Sequence, residues 1–384
     1  MYNFIFYNPV KILFGRGQIA NIGQEIPTSA KILLTYGGGS IKRNGVYDQV
    51  VKALSGHNFI EFGGIEPNPR YETLMQAVEL VRQEGVDFLL AVGGGSVLDG
   101  TKFIAAAAHF VGDPWDILAK QAPISSALPL GTVLTLPATG SEMNTNAVVT
   151  KWATREKLYF SSPLVFPKFS VLDPETTYSL PLRQIGNGIV DAFTHVAEQY
   201  LTFPANAPLQ DRMAEAILVT LIEEGPKTVR NPTDYEARAN VMWCTTMALN
   251  GLIGAGVPQD WTTHMIGHEL TALHDLDHAQ TLAVVLPSVL TWQKQQKREK
   301  LLQYSDRIWH ISGGSPEERI EQAIAKTRAF FESVGVPTRL SAYGVDTSTI
   351  PRIVDRLERR GVFPLGERRD ISADAVAKIL AMSA

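Results

Sequence analysis

The stretch DFLLAVGGGSVLD, residues 87–99, sets the class of architecture. An apolar run of strand length stops at Gly93, Gly94 and Gly95, and a helix-like run begins at Ser96. Residues 35–42, TYGGGSIK, repeat the pattern after the apolar run KILLTY, and residues 135–142, TLPATGSE, offer a third turn after TVLTLP. To either side, FIEF ends in a glycine, and the amphipathic YETLMQAVELVRQEG lies between strand-like runs. NAVVTKW, KLYF and FSVLDP continue the strand texture up to Asp173-Pro174. Short apolar runs alternating with amphipathic helices predict βαβ units and a largely parallel sheet.

Beyond about residue 180 the texture changes. DRMAEAILVTLIEEG, YEARANVMWCTTMALNGLIGAG, RIEQAIAKTRAFFESVG and ISADAVAKILAMS all carry apolar residues at helical spacing. Glycine follows several of these runs, as expected past a helix end. The expected organisation is an α/β Rossmann-like domain over 1–180 and an all-helical domain over 181–384. A chain of 384 residues is long for one core, so two domains is the natural expectation.

Bulk composition removes several function classes. Hydrophobic residues make up 45% and charged residues 19%, which suits large cores and argues against disorder. The net charge is −4 and no Lys/Arg run stands out, so nucleic acid and membrane surfaces have no electrostatic footprint. No apolar run reaches spanning length, and MYNFIFYNPVKILFGRG does not resemble a signal peptide. The single cysteine, Cys244, excludes an intrachain disulfide and fits a reducing cytoplasm. Its apolar helical setting points to a small buried hydrophobe rather than a nucleophile.

Glycines at strand-to-helix turns let a ligand approach the backbone, and the N–H groups that follow can hold phosphate. None of the three turns is G-x-G-x-x-G, and each alone is equally a tight turn. Ser96 and Asp99 also fit an S-x-x-D capping box without any ligand. Three such turns in one domain favour a nucleotide. KILLTY runs into Gly37-Gly38-Gly39-Ser40 with no carboxylate to bond a ribose 2′-hydroxyl. Ser40, Lys42 and Arg43 would favour a 2′-phosphate, and so NADP, unless the two cations are merely solvated loop charges.

Histidine is concentrated in HMIGHELTALHDLDH, residues 264–278. His264 and His268 are one helical turn apart, as are Asp191 and His195 in NGIVDAFTHVAEQY. His278 lies fourteen residues after His264, but DLD between them argues against one continuous helix; Asp277 suits the cap of a new helix. These positions are either a metal site or polar helix faces rich in histidine. One carboxylate with three imidazoles suits Fe²⁺ or Zn²⁺ and is poor for Mg²⁺ or Ca²⁺. Without cysteine ligands, such a site would be catalytic rather than structural. His57, His109, His274 and His310 read as ordinary.

With these residues in view, the chain resembles the iron-containing (group III) alcohol dehydrogenases, most closely their NADPH-dependent butanol dehydrogenase and aldehyde reductase branch. The likeness runs through ILFGRG, GGIEPNP, AVGGGSVLDGTKF, TLPATGSE, VLDP, DAFTHVAEQY and GVPQDWTTHMIGHELTALHDLDHAQTLAVVLP. The resemblance implies a dehydroquinate synthase-like fold, a homodimer, a small aldehyde or alcohol substrate, NADP(H) and one divalent metal, iron or zinc. It places metal ligands on Asp191, His195, His264 and His278, and a proton-transfer role on His268. It places cofactor contacts on Gly37, Gly38, Ser40, Gly94, Gly95, Ser96, Asp99, Thr135, Thr139 and Ser141. Asn146 and Lys157 match positions on the nicotinamide side. Leu136 stands where many relatives carry a second hydroxyl, and Ala279 where many carry glycine. Two other readings are a metal-dependent hydrolase using His274-Asp275 and an NAD-using lyase of the same fold.

Overall fold

β-Branched and leucine-rich runs that end in glycine form the strands of a sheet buried on both faces. The structure, a computed structural model, describes residues 1–384. The strands are β1 (Lys11–Phe14), β2 (Lys31–Tyr36), β3 (Asn58–Phe62), β4 (Phe88–Gly94), β5 (Leu130–Leu136), β6 (Asn146–Lys151), β7 (Glu156–Ser161) and β8 (Phe169–Leu172). Six of them form one sheet in the order β1-β8-β5-β4-β2-β3, parallel at every pairing. β6 and β7 form a separate antiparallel hairpin. The short helices α1 (Ile22–Glu25), α2 (Ser40–Arg43) and α6 (Asp116–Ala119) and the longer α3 (Val46–Ala53), α4 (Tyr71–Glu84) and α5 (Gly95–Ala107) connect the strands. Strand β1 is absent from the sequence-based expectation. It is four residues long, at the sheet edge and half-exposed, so its apolar pattern is weak.

The remaining helices are α7 (Leu182–Tyr200), α8 (Pro208–Arg230), α9 (Tyr235–Ala248), α10 (Thr262–His274), α11 (His278–Trp292), α12 (Arg298–Arg307), α13 (Pro316–Ser333), α14 (Ile350–Arg359) and α15 (Ala373–Met382). The chain divides into two units: Tyr7–Leu180 with Pro232–Thr246, and Met1–Phe6 with Pro181–Asn231 and Met247–Ala384. Two segments thus depart from a simple 1–180 and 181–384 division. Helical periodicity tells which face of α9 is apolar but not which core receives it. Met242, on α9, belongs to the core of the α/β unit. Helix α8 runs on through Gly225-Pro226, where glycine suggested an end, because Gly225 lets it close on Ile189 of α7. No helix is long and apolar enough to cross a membrane.

In the helical unit, α7 packs against α8 and α11 and is buried almost throughout its length. Phe193 anchors it, with ring centroids 5.4 and 5.3 Å from Phe330 and Phe331 of α13. Burying such a side chain contributes ~1.5–3 kcal/mol. Ile266 and Leu270 of α10 join Val284 and Val285 of α11 and Ile379 and Leu380 of α15 in a second core cluster. Helix α10 ends at His274 because Asp275 turns left-handed, with φ of 55°. Asp277 then caps α11, its N–H donating to Gln280 Oε1 at 3.1 Å, so the expected helix break and new cap are present.

One buried ion cluster ties the segment before α10 to later parts of the same unit. Lys297 Nζ lies 2.8 Å from Asp260 Oδ2 and 3.0 Å from Glu367 Oε2, and donates to the Leu201 carbonyl at 2.5 Å. Burial resists ionisation of Asp260, but the Lys297 ammonium outweighs it and holds that carboxyl below its ordinary value. Asp260 Oδ1 in turn accepts the Thr262 N–H at 2.9 Å, at the start of α10.

Both the seating of α7 and the ion cluster can be probed by substitution. An added Cβ at Gly186, near the start of α7, would run into the Val334 carbonyl oxygen, which is fixed backbone. Gly186→Ala therefore destabilises the protein by about 1–3 kcal/mol in urea unfolding, despite the ~1 kcal/mol that alanine gains in a helix. An unchanged midpoint contradicts this packing. Lys297→Met strands two buried carboxyls and costs about 3–5 kcal/mol at neutral pH. Because Asp260 is depressed in the folded state, its stabilising contribution is present above its unfolded pKa of ~3.9 and is lost as pH falls. The gap between wild type and variant therefore persists down to about pH 4 and narrows as pH falls below that.

Candidate metal centre and nucleotide-binding edge

The glycine turns lie where parallel strands end. Strands β5, β4 and β2 are neighbours, and TLPATGSE, GGGS and the Gly37–Ser40 turn leave their carboxyl ends. In open parallel sheets this edge is where ligands bind. Gly94 caps α5 in extended backbone, so the N–H groups of the first turn of α5 point out of a thirteen-residue helix. Gly95 is required by packing: a Cβ there would lie 2.5 Å from Thr139 Oγ1. Gly37 passes the Ile65 carbonyl closely, and Gly39 adopts φ of 82° before α2 begins at Ser40.

Several expected cofactor residues turn out to hold one another. Asp99 does not cap α5. Its Oδ1 accepts from Ser141 Oγ at 2.6 Å and its Oδ2 from the Val148 N–H at 2.9 Å, which braces the third turn against α5. Ser96 is not a cap either, and its Oγ accepts from the Asn68 N–H at 3.3 Å. Thr139 Oγ1 accepts from the Ser141 N–H at 3.2 Å, and Thr135 is buried at the end of β5. Lys157 Nζ donates to Asn68 Oδ1 at 2.9 Å, so Asn68 joins the GGGS turn to the β6–β7 hairpin. Asn146 and Lys157 are not adjacent: Asn146 pairs with Ser161 at one end of the hairpin, and Lys157 with Thr150 near the other.

Sequence reasoning missed Asn68, which is left-handed with φ of 54° between two prolines. It also missed Lys102 and Glu142, both fully buried. Lys102 donates to the carbonyls of Asn144 and Asn146 at 2.8 and 2.9 Å, and burial pulls its pKa down to about 8. Glu142 Oε1 accepts from Thr246 Oγ1 at 2.6 Å. Lys42 is neither a bare loop charge nor fully available to a phosphate. It sits 2.8 Å from Glu61 Oε2 and over the rings of Tyr36 and Tyr47. Arg43 and Ser40 remain exposed.

The second constellation belongs to the helical unit. Asp191 and His195 share a face of α7, His264 lies in the first turn of α10, and His278 opens α11. Asp191, His195 and His264 are all buried and offer ligand atoms within 4.8 Å of one another. His278, less buried, places Nε2 3.8 Å from Asp191 Oδ1, and His195 Nε2 stands at the same 3.8 Å. The His195 and His264 rings stack with centroids 4.7 Å apart, and His278 lies 5.2 Å from His264. Burial pulls His195 down to about 4, against the opposing pull of Asp191, so it is neutral at pH 7 and in its ligand form.

This donor set fits a divalent cation. Bonds of ~2.0–2.2 Å hold donors across an ion at most ~4.4 Å apart, and the two 3.8 Å separations fall inside that limit. His268, one turn beyond His264, is buried with its ring 6.3 Å from His264 and 5.2 Å from His278. Glu198 also went unremarked in the sequence. Its Oε2 meets His264 Nδ1 and its Oε1 accepts the Thr263 N–H at 2.6 Å. Burial, with Asp260 nearby, pushes its carboxyl well above the ordinary range, an effect that a nearby cation opposes. The spacing of Asp191, His195 and Glu198 at i, i+4 and i+7 was the available signal. His274 bonds Thr349 Oγ1 at 2.7 Å and Asp275 is exposed, so they do not form the dyad that a hydrolase would need.

Comparison with known proteins agrees with this layout. Residues 9–174 match the family model for iron-containing alcohol dehydrogenases, and residues 186–384 the C-terminal model of the Fe-containing alcohol dehydrogenase family. The NADPH-dependent aldehyde reductase YqhD of Escherichia coli (strain K12) is 59% identical over 382 residues, covering 99% of either chain. A probable NADH-dependent butanol dehydrogenase 1 of Bacillus subtilis (strain 168) is 42% identical over 388 residues, 100% of each. The crystal structure of E. coli K-12 YqhD superposes with a TM-score of 0.99 at 58% identity, covering 100% of this chain and 99% of that one. The chain belongs to the iron-containing alcohol dehydrogenase family.

Proposed function

We propose that the protein is a metal-dependent, NADP(H)-linked aldehyde reductase that transfers hydride between NADPH and short-to-medium-chain aldehydes, with alcohol oxidation as the reverse. The observation that carries this reading is the buried Asp191–His195–His264 cluster, with His278 beside it, in a chain 59% identical to an NADPH-dependent aldehyde reductase. When bound, an Fe²⁺ or Zn²⁺ ion supplies Lewis acidity to a carbonyl oxygen, and NADPH supplies the hydride. In this proposal Asp191, His195, His264 and His278 are the ligands. One carboxylate among three neutral imidazoles gives the set a single negative charge, less than the two charges of the cation, which suits alkoxide formation. His268, buried beside His264 and His278, delivers and recovers the proton at a ring nitrogen.

The residues of the α/β unit divide by how they act. Gly37, Gly38, Ser40, Gly94, Gly95 and Ser96 line the turns that receive the nucleotide, and Thr135 and Thr139 border them. Asp99 and Ser141 act through the brace they form, and Lys157 and Asn146 hold the hairpin on the nicotinamide side. The absence of a carboxylate in Gly37–Ser40, with Arg43 and Ser40 exposed nearby, supports NADP, while the ion pair of Lys42 with Glu61 reduces that cation's share. We also propose a homodimer in a cytoplasmic setting. The exposed Tyr2, Phe4 and Ile5 supply an apolar surface for the first, and a single buried cysteine, which forms no intrachain disulfide, suits the second.

With butanal, NADPH absorbance at 340 nm should fall steadily. Chelation abolishes turnover and Fe²⁺ or Zn²⁺ restores it. His264→Ala lowers kcat/KM by about 10²-fold or more, because losing the Lewis acid costs several kcal/mol. Wild-type turnover with bound metal retained in that variant would sink the assignment. A charged contact to the 2′-phosphate worth ~1.5–3 kcal/mol favours NADPH over NADH by about tenfold or more. Equal rates with the two coenzymes contradict that part of the proposal.

A further inference from the structure

Helix α7 carries three side chains on one face, and only two of them are proposed ligands. Glu198 lies one turn past His195 and two turns past Asp191, with its side chain buried at 3% exposure. Instead of joining Asp191, it reaches across to α10. One oxygen meets His264 Nδ1 and the other accepts the Thr263 N–H at 2.6 Å. Its main-chain carbonyl accepts the Asp260 N–H at 2.8 Å, and Asp260 caps Thr262 and pairs with Lys297. The start of α10 is therefore tied to α7 through both the side chain and the backbone of this one residue.

We propose that Glu198 is a positioning residue that selects which nitrogen of His264 is presented to the metal; the proposal rests on the metal centre described above. A neutral imidazole has one N–H and one lone pair. With the cation bound, its charge opposes the effect of burial on Glu198; an ionised carboxylate only accepts, so beside Nδ1 it requires the proton there and leaves the lone pair on Nε2. The bond to Thr263 fixes the carboxylate, and the carboxylate fixes the plane of the ring. Carboxylates behind metal-bound histidines set tautomer and orientation in this way, and their loss weakens metal binding by ~10–100-fold.

The Glu198→Gln substitution separates this role from simple packing. The amide has the same shape as the carboxylate but one acceptor oxygen, and it faces two donors, the Thr263 N–H and His264 Nδ1–H. If the amide oxygen keeps Thr263, the NH₂ group donates to Nδ1 and drives the ring proton to Nε2, where the ligand lone pair is needed. If the oxygen keeps His264, two N–H groups oppose each other at Thr263. Either arrangement degrades the ligand, although the volume is unchanged.

The test is a competition titration of metal-free protein with Zn²⁺ against a chromophoric chelator, comparing wild type, E198Q and H264A. E198Q should bind Zn²⁺ about 10–100-fold more weakly than wild type, with an unchanged circular dichroism spectrum. Affinity within twofold of wild type in E198Q, while H264A is weakened, overturns the role of Glu198 and leaves the metal centre standing. Wild-type affinity in H264A as well overturns the centre and the inference together. A second measurement needs no folded Glu198 variant: long-range ¹H–¹⁵N spectra of histidine-labelled, Zn²⁺-loaded wild type, with His264 assigned by its loss in H264A. The Nδ1–H tautomer is expected, and an Nε2–H tautomer overturns the proposal.

Discussion

A carboxylate oxygen beside two imidazole nitrogens, in a pocket that burial keeps from water, is the constraint on which the helical unit turns. Asp191 Oδ1 has His195 Nε2 and His278 Nε2 each at 3.8 Å, and burial keeps His195 neutral down to about pH 4. A neutral His195 does not supply the positive charge that a buried carboxylate calls for, whereas a divalent cation does. The surrounding helices serve this requirement. Phe193 and Gly186 seat α7 deeply enough to bury Asp191, and the left-handed Asp275 ends α10 so that His278 can start α11 from a new direction. The Lys297 cluster holds Asp260, which caps the first turn of α10, where His264 resides.

The α/β unit solves a different problem, how to present backbone donors to an anion from turns that are held in place. Three adjacent parallel strands end in turns that open outward, and close approach makes glycine necessary at Gly95. Behind these turns, buried polar side chains bond one another. Asp99 bonds Ser141, Lys102 holds the carbonyls of Asn144 and Asn146, and Glu142 accepts from Thr246. Holding a loop in one arrangement needs such buried bonds, although Glu142 Oε2 is left without a partner. This requirement is a sufficient physical reason why residues with cofactor-like spacing in the sequence include some that act by holding others.

Much of this was legible in the sequence. Apolar runs ending in glycine marked β2, β4 and β5, because a strand buried on both faces leaves a continuous signal, and the spacing of Asp191 to His195 placed two side chains on one face. What the sequence hid was long-range pairing. The edge strand β1 is too short and exposed to stand out, and α9 shows its apolar face without showing that the α/β core receives it. Ser96 and Asp99 matched a local capping pattern, yet their partners lie at Asn68, Ser141 and Val148, which no local pattern encodes. Glu198 had the periodicity but not the meaning, since its target lies 66 residues away on another helix.

Anomalous diffraction at the iron and zinc edges, from crystals of metal-loaded protein, is the sharpest check on the metal centre. One ion should be found bonded at ~2.0–2.2 Å to Asp191, His195, His264 and His278, with His264 ligating through Nε2 and with His268 outside bonding distance. An ion held through His268 or His274, or one bound away from α7, would be incompatible with the centre described.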